Sequence, residues 1–334
     1  MAKRRVIIDT DAGVDDAVAI MMALVHPELE VVAITTVYGN ADVDQVNINV
    51  AKVLEYMGRE DVPIYGGCDS PLVTPRIKPG WLGHGKDGLA DIPWLSELPR
   101  SKKLENERAA DAIVRLIQEA PTSIVALGPL TNLALAMKLF PRFFDVVELL
   151  TVMGGTMHGK GNTTKGAEFN FHQDPEAVFI TLQHALPDKY LLVPWEVTLE
   201  QSPVGWPFYD TLPQGEGTDL RFARLVRGLC SPQDEVLHRE MDLTLCDPVT
   251  MLCFMAPSKM IVQAHELHAE IELSGTMSRG TILYDWYNYQ PSVQKNVRLV
   301  TSVDGDYFRQ VLSALFSRDE VDASPLLDEG VSTD

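Results

Sequence analysis

The stretch VIIDTDAGVDDAVAI (residues 6–20) places Asp9, Asp11, Asp15 and Asp16 within eight positions, where an apolar run ends and a helical pattern begins. Like charges at that density repel, and burying them unpaired costs several kcal/mol each. A positive partner is therefore expected among them. A hard divalent cation with oxygen ligands meets that need, and calcium also accepts backbone carbonyls into its shell. Capping of the following helix accounts for one or two aspartates, Asp16 among them, and leaves the others unexplained. A metal or sugar-binding site thus stands ahead of capping alone. An EF-hand does not fit, because a strand leads in and the required Glu is missing.

The elements that must hold these groups follow from periodicity. VIID (6–9), VVAITTV (31–37), VPIY, SIVAL (123–127), VVELLTVM (146–153) and KYLLVPW (189–195) are short β-branched or apolar runs that predict buried strands. Between them lie helical patterns at DDAVAIMMALV, 42–58 (stopped by Gly58), 109–120, 130–140 and 174–186. Such alternation predicts an α/β fold with a mostly parallel central sheet flanked by helices, in a Rossmann-like arrangement. Ligands in such sheets bind at the carboxyl ends of strands. The same mouth should then receive Asn40, Leu127, Gly128 and Met153 to Thr156. Residues 66–105 and 154–173 break the rhythm as Gly-rich, irregular loops, the kind that carry function. If AEFNF (167–171) is extended, Glu168 and Asn170 share one face. Taken alone that pentapeptide is ordinary strand alternation, GPLTN (128–132) is a turn and cap with local hydrogen bonds, and His158 is a solvent-exposed loop residue.

Residues 1–318 are expected to form one domain and 319–334 an acidic, flexible tail. The chain has 334 residues, 46% hydrophobic, enough for a large core, and a formal net charge of −19. That balance argues against nucleic acid or an anionic membrane as partner. No run approaches the ~20 apolar residues of a membrane span, and the basic start lacks the apolar stretch of a signal peptide. The four cysteines, Cys68, Cys230, Cys246 and Cys253, show no CxxC pair and are expected as reduced thiols. A cytoplasmic setting is the expectation.

DTDAGVDDAVAI resembles the signature DxDxGxDDAxA of the inosine–uridine-preferring nucleoside hydrolases. The likeness continues through AITTVYGN, VPIYGGCDSPL, HGKDGL, GPLTNLALA, VMGG, GNTTKGAEFNFHQDPEA and CDP at 246–248, in the family's order, over about residues 5–315. It implies hydrolysis of the N-glycosidic bond of ribonucleosides to ribose and free base. It also implies Ca2+ held by Asp11, Asp16, the carbonyl of Leu127 and Asp247, with Asp11 activating a water held on the ion. Asp15, Asn162, Glu168 and Asn170 would hold the ribose, Asn40 and Met153 would line the pocket, and His84 would sit at its rim. A homodimer or homotetramer is implied as well. Bond cleavage would pass through an oxocarbenium-like sugar, and a site binding every ribose hydroxyl would reject deoxynucleosides.

One position departs from the best-known branch, in which a histidine before the late Asp-Pro protonates the leaving base. Here it is Cys246, as in a cysteine-bearing branch of the family. An ordinary thiol, with a pKa of about 8.5, is protonated at neutral pH, but it is a weak donor. Cys246 is either the acid or a small residue packed beside Asp247. His238 is a further candidate, or a surface histidine on a charged helix. Trp286 or Tyr287 could stack on a purine, although such aromatics more often belong to a core. Two rival readings remain. The Asp-x-Asp after a strand also occurs in haloacid-dehalogenase-type phosphatases, with Asp9 as nucleophile, although there Gly-Thr follows at once. The other rival is a non-catalytic nucleoside or calcium sensor that lost turnover through the change at Cys246.

Overall fold

A computed structural model of the chain describes residues 3–77, 84–92, 95, 104–204 and 244–316. Its first half runs β1 (Arg4–Thr10), α1 (Val14–Val25), β2 (Leu29–Thr36), α2 (Val43–Tyr56), β3 (Ile64–Gly66), α3 (Ala109–Glu119), β4 (Ser123–Ala126), α4 (Thr131–Leu139), α5 (Phe143–Val146) and β5 (Leu150–Met153). It continues with α6 (Phe169–Gln173), α7 (Pro175–Leu182), β6 (Tyr190–Val193), α8 (Trp195–Gln201), α9 (Cys246–Met255) and α10 (Pro257–Met260). Strands β7 (Ile261–Leu267), β8 (Ala269–Ile271), β9 (Ile282–Tyr284) and β10 (Val297–Val303) precede α11 (Gly305–Phe316).

Eight strands form one sheet in the order β3-β2-β1-β4-β5-β6-β10-β7, parallel throughout except for β7 at its edge. β1 lies inside the sheet, third from the β3 edge, and its side chains alternate between two cores. Val6 and Ile8 pack with α1, α2, α9 and α11 on one face, while Ile7 packs with α3, α4 and α7 on the other. A strand covered on both sides must be apolar on both, which is why VII precedes the aspartates without a polar break. The chain winds outward from β1 to β3, then returns to β4 on the other side of β1. That reversal opens a crevice beyond the carboxyl ends of β1 and β4.

Two local expectations need correction. The 146–153 segment does not start as strand: Phe143–Val146 closes a short helix, and β5 begins at Leu150. AEFNF is not extended either. Glu168 caps a helix over Phe169–Gln173, its carboxylate accepting the N–H groups of Asn170 and Phe171. A side chain that satisfies the first free amides of a helix outweighs the alternation of five residues. Trp286 and Tyr287 are not core residues, being 41% and 79% exposed. Cys68, Cys246 and Cys253 are free thiols. Cys230, His238 and the tail 319–334 lie outside the described residues. Among the described residues no helix is long and apolar enough to cross a membrane.

Candidate metal and catalytic site

Three side chains meet beyond β1. Carboxylate oxygens of Asp15, Asp16 and Asp247 all lie within 4.8 Å of one another. Asp15 and Asp16 occupy the first turn of α1, and Asp247 the first turn of α9. α9 is buried along its whole length and packs against α1, so apolar packing of two helices brings together aspartates 231 positions apart in the sequence. Both N-termini point at the cluster, and their dipoles partly offset its negative charge.

Asp11 stands beside this cluster, at the end of the turn that leaves β1. Its Oδ2 accepts the backbone N–H of Asn40 at 2.8 Å, while the Asn40 amide donates to Asp16 Oδ2 at 3.3 Å, so one residue past β2 ties the two carboxylates together. Asp16 is also held by the hydroxyl of Thr10 and by the N–H of Gly13 at 2.8 Å. Two glycines make room for Asp11. A Cβ at Gly39 would come within 2.0 Å of Asp11 Oδ2, and one at Gly128 within 2.9 Å of Oδ1. Ala12 pays for the sharp exit from β1 with a left-handed φ of 27°, and the Asn49 amide fixes its carbonyl at 3.0 Å.

Asp11, Asp16 and Asp247 are almost wholly buried, at 1%, 0% and 4% exposure. Among the described residues no lysine or arginine forms an ion pair with any of them. Burial, reinforced by their neighbours' charge, drives all three carboxyls upward, Asp16 to about 6 and the other two well above the ordinary carboxylate range. Buried acids without a cationic side chain, offering only hard oxygen donors, fit a divalent cation and little else. The tight cluster joins Asp15, which the resemblance assigns to the sugar, with Asp16 and Asp247, while Asp11 stands beside it.

The remaining candidates gather around this centre. Asn170 donates its amide to the carbonyl of Leu127 at 2.7 Å and touches Met153, so the tips of β4 and β5 meet through it. Glu168 is buried, accepts N–H groups from Gly155, Asn170 and Phe171, and is pushed up to about 7 by burial. Asn162 is exposed and accepts the N–H of Phe169 at 2.8 Å. His84 accepts the N–H of Val14 on Nδ1 at 3.2 Å, and the same nitrogen lies 3.9 Å from Asp15. Burial, then the carboxylates of Asp15, Asp247 and Glu168, raises the Cys246 thiol well above its ordinary value, so it stays protonated. Asp9 lies beneath the site, fully buried, and accepts from Thr35 at 2.6 Å and Asn132 at 2.8 Å. Its Oδ1 is taken up by those two bonds, which tie β1 to β2 and to α4.

Asn132 was missed as more than a local cap. Its amide donates to Asp9 and to Thr36 O, and its oxygen accepts Cys68 N–H at 2.9 Å, which joins the tips of β1, β2 and β3. The only sequence signal was an Asn just past a strand tip.

The family model described as inosine-uridine preferring nucleoside hydrolase matches residues 6–310. This chain belongs to that family. It is 31% identical over 297 residues to the inosine-uridine preferring nucleoside hydrolase of Crithidia fasciculata, covering 86% of this chain and 90% of that one. It is also 31% identical to the pyrimidine-specific ribonucleoside hydrolase RihA of Salmonella schwarzengrund, over 92% and 96% of the two chains. Among solved structures, an inosine-guanosine nucleoside hydrolase superposes with a TM-score of 0.82 at 32% identity, over 94% of this chain and 99% of that one.

Proposed function

We propose that the protein hydrolyses the N-glycosidic bond of ribonucleosides, releasing ribose and free base, with Ca2+ as its cation. The observation that carries this reading is the buried carboxylate group at the crevice of the sheet, with no cationic side chain paired to it among the described residues. Asp16, Asp247 and Asp11 would hold the ion with the carbonyl of Leu127, and Asp15 lies close enough to join them or to meet a sugar hydroxyl. When bound, the ion supplies Lewis acidity that lowers the pKa of a water and fixes neighbouring hydroxyls. Asp11 is the candidate base, its carboxylate oriented by the Asn40 amide and the two glycines. The surrounding carboxylates favour positive charge developing on the sugar, since they are fixed before reaction in a site shielded from water.

We take Glu168 and Asn170, with Asn162 at the edge, as a polar wall that meets the sugar. Glu168 Oε2 already accepts the N–H groups of Gly155 and Phe171, while Oε1 accepts only that of Asn170, so Oε1 keeps a lone pair for a sugar hydroxyl. Asn40 and Met153 line the pocket, and His84 stands at its rim. We read Cys246 as the mark of a cysteine-bearing branch of the family, with its protonated thiol available to the leaving base and His238 as the other candidate acid. The relatives' names span purines and pyrimidines at similar identity, so base preference follows loop residues rather than the shared centre. A homodimer or homotetramer and a cytoplasmic setting accompany the reading and are tested by light scattering and fractionation.

The deciding experiment is a panel of purine and pyrimidine ribonucleosides assayed for reducing sugar, with Ca2+ present, removed by chelation and restored. Release that stops on chelation and returns with Ca2+ supports the proposal, as does its absence in Asp11→Ala. Nucleoside binding by calorimetry without ribose release would favour a sensor instead.

A further inference from the structure

Another buried carboxylate lies outside this machinery. Glu196, in the first turn of α8 just past β6, is 0% exposed and forms no ion pair among the described residues. Its two oxygens instead accept three backbone amides of one loop, those of Met157, of His158 at 2.8 Å and of Lys160 at 3.1 Å. The start of that loop is tied to the same strand end, with Gly154 N–H on Val193 O at 3.1 Å and Trp195 N–H on Gly155 O at 3.0 Å. The loop then delivers Asn162, whose side chain holds the first amide of α6, and α6 carries Asn170. Glu168 reaches back to Gly155 N–H at 2.9 Å.

We propose that Glu196 is a positioning residue that clasps the 154–162 loop and thereby sets the polar wall of Asn162, Glu168 and Asn170 against the sugar. The proposal rests on the ribonucleoside reading above. The loop is Gly-rich and polar, so it has little apolar packing of its own to define its path. Three amides converging on the two oxygens of one buried side chain supply that definition, because no other acceptor among the described residues ties all three to a single point. An amide in place of the carboxylate has one acceptor oxygen and turns N–H groups toward N–H groups, which leaves loop amides unpaired. Glu196 touches neither the cation cluster nor the reacting atoms, so its effect should fall on sugar binding rather than on the metal.

The test compares Glu196→Gln and the shorter Glu196→Asp with the wild-type protein. Hydrogen exchange of the 156–161 peptide, without substrate, should quicken roughly tenfold in Glu196→Gln and less in Glu196→Asp. The inhibition constant for free ribose and the KM should rise roughly tenfold, more than kcat falls, while Ca2+ affinity stays within about twofold. Faster exchange with unchanged ribose inhibition would overturn the role in the sugar wall, and unchanged exchange in folded Glu196→Gln would overturn the clasp. Ca2+ affinity falling in step with ribose affinity would contradict it too. If the wild-type protein neither binds ribose nor releases it, the ribonucleoside reading fails along with the wall, while the exchange measurement still decides whether the clasp exists.

Discussion

Asp11 owes its position to residues that carry no chemistry. The backbone of Gly39 passes so close that a methyl group there would overlap the carboxylate, which has no second place to go between Gly128 and Asn40. Gly39→Ala should therefore lower kcat/KM at least about a hundredfold, the usual consequence of moving a reacting group by roughly 1 Å. Gly58→Ala makes a fitting control. Gly58 has a φ of +65° with open space around it, so the methyl should cost about 1–2 kcal/mol of stability without touching turnover. Steady-state kinetics and thermal melts on the two variants check both statements. Equal activity in Gly39→Ala and the parent would show that Asp11 tolerates displacement and is not the base.

At the scale of elements, two helix N-termini and a capped turn assemble the site, and each makes a measurable contribution. In the metal-free protein the folded values of Asp16 (about 6), Asp9 (about 7), Asp11 and Asp247 all lie above 3.8. A raised acid contributes stability that is complete below its unfolded value and lost as pH climbs through its folded value. For Asp16 and Asp9 the metal-free fold should thus lose this contribution between about pH 4 and 7, and Asp11 and Asp247 add to the loss in the same direction. A cation binds the deprotonated forms, so the gap in Tm between Ca2+ and chelator should widen with pH over the same window. At a hundredfold excess over Kd the stabilisation reaches about 2.7 kcal/mol. A gap independent of pH would mean the ion binds elsewhere. The polar wall makes its own prediction: 2′-deoxyribonucleosides should turn over ~10⁴-fold more slowly than ribonucleosides, because the missing hydroxyl leaves buried groups unpaired. Comparable rates would remove Glu168 and Asn170 from sugar binding.

These elements also show why some of the site was legible in the sequence and some was not. The aspartates stood out because four acids at the end of an apolar strand violate ordinary burial rules, and strand-helix alternation then located them at the mouth of a parallel sheet. Asp247 became part of the set only through resemblance, since nothing local distinguishes CDP from a helix start. The helix at 169–173 was hidden by alternation that a cap at Glu168 overrides. Asn132 and Glu196 act through bonds to distant backbone, and a lone Asn after a turn or a lone Glu on a helix has no spacing to betray it. Burial of Glu196 is a tertiary fact.

For the molecule as a whole, the sheet reversal between β1 and β4 explains why chemistry from distant segments shares one crevice. The apolar packing of α9 on α1 holds Asp247 against Asp16, so fold stability and cation affinity are linked. Isothermal titration of Ca2+ into the chelator-treated chain tests that claim most directly, with Asp247→Asn measured alongside. One ion per chain in the wild-type protein, with heat lost in the folded variant and ribose release lost with it, is the predicted result. Undiminished Ca2+ binding by Asp247→Asn, or full ribose release from a chain shown to hold no divalent ion, would contradict the account.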